Sequence, residues 1–166
     1  MKEAELAFQD LVDPYGIEFW PEFKGRDGCR TPMVWQTHVR NGAFSTAERT
    51  WLPVPAEHLT HAVDTEDNIE GSVLEFYRSM LIFRKAHPAL AKGSITLLEG
   101  PDNILAFIRE HEGERLLCVF NMSPESEEFV IPPGLDPHGL DCPGVTAAPM
   151  DGEIDLEPFG SYIGSI

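Results

Sequence analysis

The run Phe23-Lys24-Gly25-Arg26-Asp27-Gly28-Cys29-Arg30-Thr31-Pro32-Met33-Val34-Trp35 gathers three cations, one acid, two glycines, a proline and a tryptophan into thirteen positions. It follows neither a helical nor a strand period, so local propensity does not account for it. Irregular backbone this dense in Arg, Gly and Trp suits a loop shaped to meet something polar. Arg26 presents a planar fork of five donors that stays charged, fitted to paired oxygen acceptors. Asp27 and Glu22 are the nearby carboxylates, and a carboxylate pair can divide acid and base roles. Both lie on one loop without a histidine beside them, so pairing with Arg26 to hold the loop is the plainer expectation. Arg30, next to Thr31-Pro32, is expected to brace a turn. His58 and His61 stand three apart but no third ligand accompanies them and Pro53-Val54-Pro55 precedes them. They are expected to be surface histidines, with no metal bound.

These residues sit in a loop-rich first part. Asp13-Pro14-Tyr15-Gly16, Asn41-Gly42 and Pro53-Val54-Pro55 break the chain, and Tyr15, Phe19, Trp20, Phe23, Trp35 and Phe44 are interleaved with the breakers. One short helix is expected over Glu3–Leu11. So long a stretch with little regular structure usually lines a site or leans on a neighbour. A clear helix follows. Ser72-Val73-Leu74-Glu75 reads as a reciprocal capping box. Val73, Phe76, Tyr77, Met80 and Leu81 give one apolar face. Arg84-Lys85 suit the C-terminal dipole and Pro88 ends the helix near Ala86. After Gly93 short strands are expected at 94–99, 104–111, 115–122, 127–131, 153–156 and 161–166, with hairpin turns between them. Residues 132–152, rich in Pro and Gly, are expected to form a long loop. The fold class is α+β, ending in an antiparallel sandwich.

Composition narrows the partners. The chain has 166 residues and a formal charge of −16, which argues against nucleic acid and anionic membrane surfaces. From Glu99 to Glu157 fourteen acids face only Arg109 and Arg115, read as solvated strand faces and turns. Cys29, Cys118 and Cys142 are odd in number and far apart, without zinc-type spacing. Cys118, inside Leu116-Leu117-Cys118-Val119-Phe120, reads as a small buried hydrophobe. A cytoplasmic location fits thiols of this kind. Met1-Lys2-Glu3-Ala4-Glu5 does not open a signal peptide, and no apolar stretch is long enough to span a membrane.

Gly25-Arg26-Asp27-Gly28-Cys29-Arg30-Thr31-Pro32-Met33, with Trp35, resembles a signature of bacterial α-glucosidases in the alpha-amylase family, glycoside hydrolase family 13. The likeness extends to Asp13-Pro14-Tyr15-Gly16 and Phe19-Trp20-Pro21-Glu22-Phe23-Lys24 before it. It continues through Ser72, Leu74, Tyr77, Arg78, Leu81, Arg84, Lys85, Pro88, Leu90 and Gly93, which match the family's eighth barrel helix. Leu116-Leu117-Cys118-Val119-Phe120-Asn121 resembles the start of its C-terminal β-domain. The resemblance implies a loop-rich end of a (β/α)8 barrel with its last helix at residues 1–92. An antiparallel β-domain would follow at residues 93–166.

It also implies where chemistry would come from. Retaining glycosidases need two carboxyl groups ~5–5.5 Å apart across the scissile bond. In the family these acids, and a third aspartate, lie on barrel strands in motifs that do not occur in this sequence. No catalytic residue is therefore assigned, and the chain alone is expected to be inactive. Arg26 matches the arginine that contacts the sugar in related enzymes. Its partner would be an α-glucoside oligosaccharide in the full-length context, with no cofactor. Trp20 and Trp35 have faces suited to a hexose, but packing of the loop against the barrel is the favoured reading. The helix over Ser72–Lys92 would expose its barrel-facing side, so self-association is expected. The alternative is an autonomous carbohydrate-binding sandwich, which would need an exposed row of aromatics. The strand region offers Phe107, Phe120, Phe129, Phe159 and Tyr162, expected to face mostly inward.

Overall fold

The computed structural model describes residues 4–166. The chain divides into two compact units at Glu75/Phe76. The first is built from turns. Its helices are short, α1 (Pro14–Glu18) and α2 (Val63–Glu66), with 3-10 turns at Phe8–Asp10, Asp27–Cys29, Arg40–Ala43 and Ala56–His61. Its core is correspondingly small: Ala4, Leu6, Leu11 and Leu52, with Trp20 packed against them. The helix expected over Glu3–Leu11 is replaced by the single turn Phe8–Asp10, Glu3 lying outside the described residues. So short a helix is marginal without packing. Here the Ala4 N–H donates instead to Gly28 O at 3.2 Å, tying this segment to the signature loop.

The long helix α3 spans Val73–Ala86, close to the expected bounds. Its start differs from a reciprocal capping box. Ser72 Oγ accepts from the Glu75 N–H at 3.2 Å, but the Glu75 carboxylate accepts from the Asn68 N–H at 3.0 Å. The Ser72 N–H donates to Ile69 O instead. After His87, Pro88 opens the short helix α4 (Pro88–Lys92) from its first turn, where a missing N–H costs nothing.

The second unit is an antiparallel sandwich. One sheet runs β1 (Ser94–Leu97), β2 (Ile104–His111), β3 (Glu114–Asn121), β8 (Ser161–Ser165) and β5 (His138–Gly139); the other runs β4 (Glu127–Val130), β7 (Glu153–Leu156) and β6 (Pro149–Met150). The expected strands are all present within a residue or two. The expected loop at 132–152 additionally contains β5 and β6, two-residue pairings against β8 and β7 that are too short for a pattern to reveal. Ala106, Ile108, Leu117, Val119, Phe129, Ile154, Leu156 and Tyr162 fill the space between the sheets.

The other face of the large sheet is covered too. Cys118 and Ile163 pack there with Phe83 and Cys142, flanked by Met80, Leu90, Phe107 and Phe120. β3 is thus buried on both sides, which is why Leu116–Val119 is a continuous apolar run rather than an alternating one. Burial pushes the Cys118 thiol up to about 12, so it serves as an inert hydrophobe as expected. The apolar face expected on α3 is rotated. Phe83 is buried, while Val73, Tyr77 and Leu81 are exposed, because the sheet receives the Met80 and Phe83 side.

Candidate functional site

The signature loop is held by two buried carboxylates, and glycines allow their approach. Gly16 and Gly25 meet backbone to backbone: a Cβ on Gly16 would lie 2.5 Å from Lys24 O, and one on Gly25 2.9 Å from Gly16 Cα. Gly25 also has a φ of +74°, a conformation side chains resist. This contact sets α1 and its Asp13 beside Arg26.

Asp27 has no exposed surface. Its Oδ2 accepts from the N–H groups of Val12 and Asp13, both at 2.7 Å. Asp13 caps α1, its Oδ1 accepting from the Tyr15 N–H at 3.1 Å, with Pro14 at the first helical position. Its Oδ2 accepts from the Arg26 N–H at 3.0 Å and from Arg26 Nε at 3.3 Å. Arg30 Nη1 stands 4.0 Å from the same oxygen. Burial opposes the charge on Asp13, but the Arg26 and Tyr15 N–H donors and the guanidinium outweigh it and lower its pKa.

Several expectations are corrected here. The partner of Arg26 is Asp13, not Asp27 or Glu22: Asp27 turns Oδ2 to two backbone donors and buries its Oδ1 without a partner. Asp27 is sealed inside the loop and Glu22 is exposed, so they do not form a working acid/base pair. Arg30 approaches Asp13, in keeping with a bracing role. Trp20 packs partly buried on the small core of its own unit, 5.7 Å from the Phe8 ring. Trp35 is half exposed. His58 is not a surface histidine: its Nδ1 lies 3.3 Å from Thr31 Oγ1 and its Nε2 is buried without a partner. His61 turns instead to Glu66, at 3.1 Å. Among the described residues no group of three or more His, Cys, Asp or Glu is placed to hold a metal.

A second clamp steadies the far side of the loop. Asp64 accepts from Thr37 Oγ1 at 2.8 Å and from the Thr37 N–H at 3.0 Å, and these bonds from Thr37 lower its pKa. In the sandwich, Phe129 and Tyr162 are core residues and Phe159 is exposed, while Phe107 and Phe120 stack on each other at 5.9 Å under the helix. That is not an exposed aromatic row.

Comparison with known proteins places this arrangement. The family model for the alpha amylase catalytic domain matches residues 1–93. This chain belongs to the alpha-amylase family. The model for the maltogenic amylase C-terminal domain matches residues 95–163 of the same alpha-amylase-family chain. It is 46% identical over 163 residues to a probable alpha-glucosidase of Rhizobium meliloti (strain 1021), covering 98% of this chain and 29% of that protein. It is 34% identical over 127 residues to a probable oligo-1,6-glucosidase 2 of Bacillus subtilis (strain 168), covering 76% of this chain and 22% of the relative. Among solved structures, the alpha-glucosyl transfer enzyme XgtA superposes with a TM-score of 0.90 at 40% identity, over 99% of this chain and 30% of that one. The chain therefore spans less than a third of the length of these relatives. The fold is the end of an alpha-amylase domain followed by an antiparallel C-terminal sandwich.

Asp13, which holds Arg26, is not singled out by the loop's own residues, although Asp followed by Pro and a short helix is a cap-and-first-turn signature.

Proposed function

We propose that this chain is the C-terminal part of an α-glucosidase that hydrolyses α-glucosidic bonds in small oligosaccharides. Its likeness to the Rhizobium meliloti probable alpha-glucosidase, at 46% identity along nearly its whole length, carries this reading. Residues 1–92 supply the substrate-side loop and last barrel helix, and residues 93–166 the C-terminal β-domain. That the two family matches end and begin at 93 and 95 supports this division.

Arg26 is the substrate contact. Its side chain is 63% exposed and its fork suits two neighbouring hydroxyls of a sugar. Asp13 and Asp27 hold backbone and guanidinium in place, both buried within the loop rather than facing a scissile bond. The chain alone is accordingly inactive, and the nucleophile and general acid come from barrel strands beyond its span. No helix of the described residues is long and apolar enough to cross a membrane. Three free thiols favour a cytoplasmic setting. The apolar side chains left open on α3, Tyr77 and Ile82 among them, favour self-association.

The test joins the chain to the upstream part of the Rhizobium meliloti relative and follows hydrolysis of a chromogenic α-glucoside. Arg26→Lys, which keeps charge but loses the fork, should lower kcat/KM at least tenfold, about 1.4 kcal/mol. Unchanged kinetics would remove Arg26 from the substrate site.

A further inference from the structure

One carboxylate oxygen grips Arg26 twice. Asp13 Oδ2 accepts from the main-chain N–H of Arg26 and from its side-chain Nε, closing a ring through the residue's own stem. The other oxygen is committed to the Tyr15 N–H, and the Asp13 N–H is fixed by Asp27. Neither the acceptor nor its carrier can turn without breaking a bond in a buried place. Of the guanidinium nitrogens only Nε is engaged among the described residues.

We propose that Asp13 is the positioning residue for Arg26, taking up its Nε–H so that both Nη nitrogens are held ready for a hydroxyl pair on a sugar. This rests on the reading of Arg26 as the sugar contact. A long side chain that must be immobilised on binding weakens the contact it makes. An acceptor that orders the stem beforehand removes part of that loss. Asp27 acts one step further back, through the backbone of Asp13, and Arg30 adds positive charge near the same oxygen.

The experiment uses the isotope-labelled chain and the Nε–H signal of Arg26, assigned by its loss in Arg26→Lys. That signal should exchange with water roughly tenfold or more slowly than those of exposed, unpaired arginines. Asp13→Ala, which removes the acceptor, should abolish the protection and move the signal to the position of a free arginine. An unchanged signal in folded Asp13→Ala would overturn the proposal. If that variant does not fold, the wild-type chain still decides. The charged groups around the Asp13 carboxylate are Arg26, Arg30 and, behind the backbone, Asp27. Protonation of Asp13 should shift the Arg26 Nε–H signal and the Asp13 carboxyl carbon at one shared midpoint, below the ordinary aspartate value of 3.8. Independent titration would overturn the proposal equally. Failure of the sugar reading looks different: Arg26→Lys would leave hydrolysis by the joined enzyme unchanged while the Asp13-dependent protection persisted.

Discussion

Asp27 spends its charge on the main chain. Two N–H groups, of Val12 and Asp13, end on a single buried oxygen, and removing it leaves both without a partner. Asp27→Ala should therefore cost about 1–3 kcal/mol of first-unit stability, the cost of orphaning the buried Asp13 N–H, with a smaller addition from the part-buried Val12 N–H. Urea unfolding followed by tryptophan fluorescence would measure it. Gly25→Ala should cost about 1 kcal/mol or more through its left-handed backbone alone, and the contact with Gly16 adds to that. The loop is legible in the sequence because its residue types are unusual together. The anchors are hidden because their partners lie thirteen to fifteen positions away, beyond any local pattern.

At the scale of elements, periodicity located α3 and the main strands but not the side that α3 buries. Two apolar stripes compete on that helix, and the one chosen depends on the sheet that receives it. Phe83, packed with Cys118, Cys142 and Ile163, should cost about 3–5 kcal/mol when changed to alanine. Ile82, adjacent in sequence but exposed, should change stability by less than about 0.5 kcal/mol on the same substitution. Equal effects in thermal or urea unfolding would mean that the helix sits differently on the sheet. β5 and β6 stayed invisible because two-residue pairings have no period. The edges of β8 and β7 create them.

Across the whole molecule, acid should be destabilising. Asp13, Asp64 and Glu114 all have lowered pKa values. For Glu114 burial acts in the opposite direction, but the Ala89 N–H and His87 prevail. Groups depressed on folding bind more protons when unfolded, so their stabilisation is present above the unfolded values. It is lost as pH falls through the lowered folded ones. The melting temperature should hold above about pH 5 and decline below about pH 4. On α3 the apolar side chains of Tyr77, Leu81 and Ile82 are open to solvent, and exposed apolar surface promotes association. Sedimentation should give a mass above the 18.5 kDa of one chain; a strictly monomeric, sharply melting protein would count against that.

Hydrolysis of a chromogenic α-glucoside is the direct test of the proposal that this chain is the non-catalytic C-terminal part of an α-glucosidase. The purified chain should be silent alone and should restore turnover when mixed with the upstream part of the Rhizobium meliloti relative. Turnover by the chain alone, or silence in the mixture despite complex formation, would contradict it.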